Sequence, residues 1–218
     1  MVITHHGGQC FKVTLGDLTI VFDPIAKGGT LPSVRFGADI ALVSRNHADM
    51  NGVEEVTYGG TAPFAITGPG EYERQGVVIQ GFLSKSAYPR EDKKTASSKA
   101  DYVNTIYSVR LEDMTLVHLG ALIDEDLSKE ARESIDEIDV LFLPIGGGGV
   151  LSAAKAHELA VSLEPKIIIP MHWQGMGEAK SLENFIKDAG NGSETIDKLT
   201  LKKKDLAERN GSILILKP

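Results

Sequence analysis

Short apolar runs alternate with amphipathic segments in the second half of this chain. Residues 140–146, 166–173 and 211–218 are apolar runs of strand length. The segments between them, 152–164 and 181–190, have the residue types and spacing of helices. Short apolar runs bounded by turn residues are typical of buried strands. The alternation therefore predicts an α/β fold in which sheets lie between layers of helices.

The first half of the chain has the pattern of short strands instead. Two β-rich runs, 10–16 and 17–23, meet at Gly16-Asp17, which predicts a hairpin. The other predicted elements are strands at 38–44, 63–67, 76–82, 102–111 and 114–120, a turn in the sequence GPGEYE that follows residue 67, and a helix at 126–135. No fixed-period repeat or linker separates these elements, so we expect a single domain over 1–218.

The composition is that of a globular protein and argues against several functional classes. Of the 218 residues, 42% are apolar and 24% are charged, which is sufficient for one sizeable core. The net charge of −7 argues against a surface that binds nucleic acid or anionic lipid. No apolar stretch approaches the roughly 18 residues of a membrane span. The single cysteine, Cys10, favours a reducing compartment, so we expect a cytoplasmic protein.

One stretch, residues 83–101, is polar and has no strong period. Its positive and negative charges nearly balance, which is typical of a solvated segment rather than a charged binding arm. We predict a long exposed loop there, and loops of such length are often functional.

Titratable side chains occur at the ends of several predicted strands, where many sites are found. They are His5-His6, His47 with Asp49, the turn at 118–122, and His172. Catalytic zinc sites use about three protein ligands, chiefly histidine nitrogens and carboxylate oxygens. A two-metal hydrolase therefore requires roughly six ligands from several loops.

Several motifs occur in an order that resembles the metallo-β-lactamase superfamily, and in particular its small lactonase-like branch of Zn-dependent hydrolases. They are ITHHGGQCFKVTLGDLTIVFDP, VSRNHADMNG, GPGEYERQGVVI, NTIYSV, VHLGAL, VLFLPIGGGG and EPKIIIPMHW. The resemblance covers nearly the whole chain. It implies an αββα four-layer sandwich with the active site at one edge of the two sheets.

The first metal motif of that family, His-x-His-x-Asp-His, is only half retained. It aligns with residues 45–50, where His47 and Asp49 match ligand positions. Arg45 and Met50 replace the two other histidines. An arginine is always charged and cannot bind a cation. We therefore expect Arg45 to pair with the Asp49 carboxylate and substitute for the missing metal charge.

The later ligand positions are also mostly replaced. The next histidine of the family falls in the stretch that ends at Ser86, and the bridging aspartate falls at Ala121. The final histidine is present as His172. By the resemblance, His47 would serve the first ion, whereas Asp49 and His172 would serve the second.

Three of seven expected ligands remain, and neither ion would have three of them. The resemblance therefore implies a largely lost dinuclear zinc site, and no cofactor is expected. The alternative is one zinc or other divalent ion, held weakly by His47, Asp49 and His172 with His5 or His6 as an unusual fourth ligand. Only one of these adjacent histidines can face inward from a strand.

Structural roles for these residues are open alternatives. Asp49 and His47 can shape a loop, His172 can be a packed histidine at a strand end, and His118 can make a hydrogen bond at a turn. The four glycines at 146–149 lack the lysine of a phosphate-binding loop. We predict a tight turn there that lets the main chain approach the former site.

Three functional hypotheses follow. The first is a non-catalytic binding or scaffold protein, a pseudoenzyme whose partner is unknown. The second is a hydrolase of esters, lactones or phosphoesters that uses one ion to activate water. The third is a metal-free enzyme in which Asp49 or His172 is the general base.

Overall fold

Two β-sheets pack face to face in the computed structural model, which describes residues 1–88, 103–190 and 192–218. Its strands are β1 (Val2–His5), β2 (Phe11–Leu15), β3 (Leu18–Phe22), β4 (Ile40–Leu42), β5 (Phe64–Ile66), β6 (Gly70–Arg74), β7 (Val77–Lys85), β8 (Val103–Leu111), β9 (Met114–His118), β10 (Val140–Pro144), β11 (Ile167–Met171), β12 (Ser193–Ile196), β13 (Leu199–Thr200) and β14 (Ser212–Leu216). The helices are α1 (Lys129–Ser134), α2 (Ala153–Leu163) and α3 (Ser181–Ala189), with short 3-10 helices at Val53–Val56 and Lys203–Leu206.

The first sheet has the strand order β13-β1-β2-β3-β4-β5. Strands β1, β2 and β3 pair antiparallel, and the turn between β2 and β3 is the predicted hairpin at Gly16-Asp17. Strands β4 and β5 then continue the sheet in parallel with β3.

The second sheet has the order β12-β14-β11-β10-β9-β8-β7-β6. Strands β6 to β9 form an antiparallel meander. Strands β9, β10, β11, β14 and β12 are parallel. Every residue of β10 and β11 is buried, as expected for parallel strands that are covered on both faces. The carboxyl ends of β9, β10 and β11 therefore lie at one edge of this sheet.

The main core lies between the two sheets. Alternate residues of β2, such as Phe11 and Val13, face it together with Tyr107 and Phe142 from the second sheet. All three α-helices pack on the outer face of the second sheet. The outer face of the first sheet is covered by loop residues and the 3-10 helix at Val53–Val56. The predicted α/β class, with two sheets inside a layered sandwich, is confirmed.

Most predicted elements are present, and two predictions were wrong. The sequence GPGEYE is largely strand β6, because it pairs with β7 at the sheet edge. The loop predicted at 83–101 begins too early, since residues 83–85 complete β7 by pairing with β8. Ser86 and Tyr88 are buried, and the rest of that prediction, from residue 89, lies outside the described residues.

The helix predicted at 152–164 begins at its predicted cap. The side chain of Ser152 accepts a hydrogen bond from the main-chain N–H of Lys155. The helix predicted at 181–190 ends at Gly190, which has a left-handed main chain. In the described part of the chain, no helix is both long and apolar enough to cross a bilayer.

Candidate functional site

The candidate site lies where the loops that follow β4, β7, β9, β10 and β11 meet. Residues 43–52 follow β4, and Ser86 to Tyr88 follow β7. Ala121 lies in the turn after β9, and His172 directly follows β11. Because these strand ends converge, the seven positions to which the family motif assigns ligands are brought to one edge of the sandwich.

Tyr88 lies at the centre of this site. Its hydroxyl donates a hydrogen bond of 2.7 Å to the Asp49 carboxylate. Its ring meets the ring of His47 at 4.9 Å and the ring of His172 at 4.8 Å between centroids, in both cases edge to face. All three retained ligand residues therefore contact the same tyrosine side chain.

The Asp49 carboxylate has further donors. The main-chain N–H of Thr30 donates to Oδ1 at 2.5 Å, and the Thr30 hydroxyl donates to Oδ2 at 2.9 Å. With the Tyr88 hydroxyl, three donors satisfy a carboxylate that is only 1% exposed. Both oxygens are occupied by hydrogen bonds from the chain itself, as a buried carboxylate requires.

The ring of Tyr88 belongs to a small apolar cluster. Its other members are Met50, Ala121 and Val150, with half-buried Met176 packed against them. By the family resemblance, Met50 and Ala121 align with a ligand histidine and with the bridging aspartate. Two positions that would hold polar ligands in the family thus help to form an apolar pocket for an aromatic ring.

The main chain around Tyr88 is also fixed. The Tyr88 N–H donates to the hydroxyl of Ser86 at 3.0 Å, and the N–H of Ala87 donates to the carbonyl of Gly149 at 3.0 Å. Ser86, which the family resemblance aligns with a third ligand position, has a fully buried side chain. Burial and the hydrogen bond to Asp49 raise the pKa of Tyr88, so its hydroxyl is a neutral donor.

Arg45, the fourth replaced position, also contacts this segment. Its guanidinium donates to the carbonyl of Val103 at 2.8 Å and to the carbonyl of Tyr88 at 3.2 Å. The expected ion pair with Asp49 is not formed between these two described side chains. That prediction was wrong because Thr30 and Tyr88 supply the donors of Asp49, while Arg45 is directed towards main-chain carbonyls.

His172 is held by a residue that the sequence did not single out. The side-chain amide nitrogen of Gln9 lies 2.9 Å from His172 Nδ1. Nε2 of His172 is buried and has no hydrogen-bond partner among the described residues. Burial lowers the pKa of His172 to about 4, although the charge of Asp49 acts in the opposite direction. The imidazole is therefore neutral at neutral pH.

His47 lies at the rim of the same cluster. Its Nδ1 accepts a hydrogen bond from the main-chain N–H of Asp49 at 3.2 Å and lies 3.4 Å from the Asp49 carboxylate. The interpretation of His47 and Asp49 as residues that shape a loop agrees with these local contacts.

The other candidate histidines lie outside this cluster. His5 faces inward, stacks on Phe11 and has its Nδ1 3.0 Å from the carbonyl of Leu216. His6 faces the other way and contacts Thr4 through Nε2 at 3.1 Å. Neither contacts the Tyr88 pocket, so the proposal that one of them replaces a missing ligand gains no support from their positions.

His118 makes the predicted hydrogen bonds at a turn. Its Nε2 donates to the carbonyl of Gln9 at 3.1 Å, and its Nδ1 accepts from the N–H of Gly120 at 3.2 Å. Complete burial lowers its pKa to about 3. The ring therefore stays neutral and connects two turns of the site.

A buried polar network supports the turn at residues 120 and 121. Asp23 accepts hydrogen bonds from the main chain and the hydroxyl of Ser44, both at 2.7 Å. Asn104 accepts from the N–H of Ala121 at 2.8 Å and donates to the carbonyl of Leu119 at 2.9 Å. Burial raises the pKa of Asp23 to about 7. The sequence offers one signal for Asp23, its place in the family-like motif that ends in Asp-Pro.

The glycine turn at 146–149 permits two close approaches. A Cβ built on Gly146 would lie 1.8 Å from the carbonyl oxygen of His172, and one on Gly149 would lie 2.7 Å from Cα of Tyr88. The prediction that these glycines let the main chain approach the candidate site agrees with both distances. The approaching segment includes Tyr88 itself.

The site does not fit a dinuclear zinc centre as it is arranged. In residues 1–88, 103–190 and 192–218, no group of three or more His, Cys, Asp or Glu side chains is placed to hold an ion. Both oxygens of Asp49 accept hydrogen bonds from the chain, and the aromatic ring of Tyr88 contacts both His47 and His172. An ion bound by Asp49 would compete with the Tyr88 hydroxyl for Oδ2.

A family model described as a β-lactamase superfamily domain matches residues 2–172. That match covers well over half of the chain and includes every position of the candidate site. The chain belongs to the metallo-β-lactamase superfamily.

This metallo-β-lactamase superfamily chain has relatives that are named metal-dependent hydrolases. YtkL of Bacillus subtilis is 25% identical over 199 residues, which are 79% of this chain and 86% of that protein. A metal-dependent hydrolase of Enterococcus faecalis is 27% identical over 199 residues, again 79% of this chain and 86% of the other.

Two solved structures have a similar fold, and the first of them supports the same family. A metallo-β-lactamase superfamily protein of the Zn-dependent hydrolase type from Thermotoga maritima has a TM-score of 0.74 and 27% identity, with 99% of each chain covered. Igni18, a metallo hydrolase from Ignicoccus hospitalis, has a TM-score of 0.61 and 16% identity, with 100% of this chain and 95% of the other covered. At that identity, Igni18 shares the fold alone.

Proposed function

We propose that this protein uses the metallo-β-lactamase fold without a dinuclear zinc centre, as a binding or scaffold protein rather than as a hydrolase of the family type. The observation that carries this proposal is the hydrogen bond from the Tyr88 hydroxyl to the Asp49 carboxylate. Asp49 is the one carboxylate that the family motif retains here, and it accepts a hydrogen bond from the Tyr88 hydroxyl of the same chain. Its role is then to hold Tyr88, not a cation.

The replaced positions support the proposal together. Arg45 donates to the carbonyl of Tyr88, and Ser86 accepts from its N–H. Met50 and Ala121 pack around its ring. Each of the four replacing residues thus contacts Tyr88. Holding this tyrosine in place would explain all four replacements together. The single cysteine continues to favour the cytoplasm as the compartment.

The alternative is a hydrolase that holds one ion, zinc or another divalent metal. Two observations favour it: His47, Asp49 and His172 all contact the side chain of Tyr88, and the relatives carry the name metal-dependent hydrolase. In this alternative Tyr88 would have to leave its pocket so that the three side chains could reach a common ion.

Metal content separates the two proposals. Tag-free protein is analysed by inductively coupled plasma mass spectrometry as purified, and again after zinc is offered and the excess removed. We expect far less than one equivalent, with no difference between the wild type and His172→Ala. About one equivalent that His172→Ala or Asp49→Ala abolishes would support the one-ion hydrolase instead.

Activity is tested in parallel on a panel of esters, lactones and phosphoesters. We expect no turnover above that of the His172→Ala protein, with or without added zinc. Turnover that chelators abolish would support the one-ion hydrolase. Turnover that survives chelators but is lost in His172→Ala would contradict the binding role and indicate a metal-free enzyme with His172 in catalysis.

A further inference from the structure

We propose that Gln9 determines which nitrogen of His172 carries the proton, and that it thereby makes His172 a hydrogen-bond donor rather than a metal ligand. Gln9 lies in the turn between β1 and β2, and its side chain is fully buried. Its amide nitrogen lies 3.1 Å from the carbonyl oxygen of Gly120 and 2.9 Å from Nδ1 of His172.

The carbonyl of Gly120 fixes the orientation of the Gln9 amide. A carbonyl oxygen only accepts hydrogen bonds, so the group that faces it must be the NH₂ of the amide. The opposite orientation would place two acceptor oxygens 3.1 Å apart inside the protein and remove the donor to the carbonyl of Gly120. In the orientation observed, Oε1 of Gln9 is buried and has no partner among the described residues. The NH₂ therefore faces both Gly120 and His172.

The second hydrogen of the same NH₂ fixes the tautomer of His172. Since Gln9 donates to Nδ1, this nitrogen must present its lone pair, and a neutral imidazole then carries its hydrogen on Nε2. Nε2 is buried and has no acceptor among the described residues. His172 consequently offers an N–H towards the site and no free lone pair on either nitrogen.

The hydrogen bond at Nδ1 of His172 runs in the opposite direction to the one that a metal-binding histidine usually makes. A histidine that binds a metal through one nitrogen usually donates the N–H of its other nitrogen to a carbonyl or carboxylate. Here the partner of Nδ1 is a donor. A chemical group that met Nε2 would have to be a hydrogen-bond acceptor, such as a carbonyl or carboxylate oxygen. The inference rests on the contacts of Gln9 and deepens the proposed metal-independent role.

Nuclear magnetic resonance reads the tautomer directly. Metal-free protein with ¹⁵N-labelled histidine is studied at neutral pH by long-range ¹H–¹⁵N correlation, in which the two tautomers give different cross-peak patterns. We expect the Nε2–H pattern for His172. An Nδ1–H pattern or an imidazolium pattern for His172 in the wild type would overturn the proposal without any variant.

The same spectrum contains two internal references. His118 receives a main-chain N–H at Nδ1 and faces a carbonyl with Nε2, so it should show the Nε2–H pattern. His5 has its closer carbonyl partner, Leu216, at Nδ1 and should show the opposite pattern. None of these contacts uses the Gln9 side chain.

Variants of Gln9 then test whether the Gln9 side chain sets the tautomer of His172. Gln9→Met removes the donor at similar volume, and we expect His172 to populate the Nδ1–H tautomer, while His5 and His118 keep their patterns. Gln9→Glu places an acceptor beside Nδ1, and we expect the Nδ1–H pattern to dominate. If His172 keeps a pure Nε2–H pattern in both variants, Gln9 does not set the tautomer.

Failure of the tautomer proposal can be distinguished from failure of the proposed function. An unexpected tautomer would leave the Tyr88–Asp49 contact and the metal content unaffected. Retention of zinc by the wild type would contradict the metal-independent role even where the metal-free protein shows the expected tautomer.

Discussion

Gly149 lies against Tyr88 so closely that its Cα–H faces the tyrosine main chain directly. A Cβ at residue 149 would lie 2.7 Å from Cα of Tyr88 and 2.8 Å from the carbonyl oxygen of Ala87. Main-chain atoms cannot yield as the end of a flexible side chain does. The position of Tyr88 therefore depends on a glycine in another loop.

Gly149→Ala should destabilise the protein by about 2–4 kcal/mol, because it adds a main-chain clash to the strain of a positive φ. Chemical denaturation measures the free energy of unfolding. Hydrogen exchange at the Tyr88 amide, which donates to Ser86, should also become faster.

Gly148→Ala is the matched control for that substitution. Gly148 also has a positive φ, of 61°, but a Cβ there meets nothing within 4 Å. We expect a cost of about 1 kcal/mol from φ alone and no change at the Tyr88 amide. Equal effects of the two substitutions would mean that the contact with Tyr88 contributes nothing.

Tyr88→Phe removes only the hydroxyl that donates to Asp49. The buried carboxylate loses one of its three donors, so we expect a loss of about 1.5–3 kcal/mol in the free energy of unfolding, the range for hydrogen bonds to charged groups. Tyr58→Phe is the control, because Tyr58 is 77% exposed and should change stability by less than about 0.5 kcal/mol. A neutral Tyr88→Phe would show that Asp49 does not depend on Tyr88.

Ala121→Asp restores the carboxylate that the family motif has at this position. Ala121 is fully buried in the apolar cluster around Tyr88. An unpaired charge there should cost about 3–5 kcal/mol. Added zinc should not restore the lost stability, because the Tyr88 hydroxyl still donates its hydrogen bond to Asp49. Ala87→Asp, an exposed neighbour of Tyr88, should be nearly neutral. A large rise in melting temperature of Ala121→Asp with zinc would show that the pocket still accepts an ion.

The fully buried Asp23 should make stability depend on pH. Its pKa rises from 3.8 to about 7 on folding, so between these values the folded state binds more protons than the unfolded state. The free energy of unfolding contributed by this group therefore falls as pH rises through that window, by at most about 1.4 kcal/mol per pH unit, and is constant above it.

Asp23→Asn removes that dependence and can keep its hydrogen bonds to Ser44, since an amide has both a donor and an acceptor. The stability of Asp23→Asn relative to the wild type should increase from about pH 4 to about pH 7 and then level off. His172 has a lowered pKa and acts oppositely in both proteins, so its contribution cancels in this difference. A difference that is independent of pH would show that Asp23 is ionised in the folded state.

Much of the fold could be predicted because strand and helix periods are local properties of the sequence. The buried runs that form β10 and β11 and the capped helix α2 follow directly from them. Strand β6 was missed because its residues, Gly70–Arg74, are mostly exposed at a sheet edge and have little apolar alternation. The short strands β12 and β13 lack a strong signal for the same reason.

The candidate site was predictable only as a set of positions. The family motif located Arg45, Met50, Ser86 and Ala121, but not what they contact. Tyr88 belongs to a polar stretch without a period, and no local rule places its ring between His47 and His172. Gln9, a polar residue in a glycine-rich turn, had no signal of its own. Contacts among distant loops arise only after the sheets bring the strand ends together.

The shared contact of Arg45, Met50, Ser86 and Ala121 with Tyr88 also has an evolutionary consequence. Substitutions that share one partner are not additive, so each of these positions has become dependent on the others. A histidine returned at Met50, or an aspartate at Ala121, would enter a pocket shaped for a phenol rather than for a cation. Single reversions should therefore lower fitness before any of them restores an ion. Under the metal-independent role proposed above, such epistasis would make a return to metal chemistry hard to achieve one step at a time.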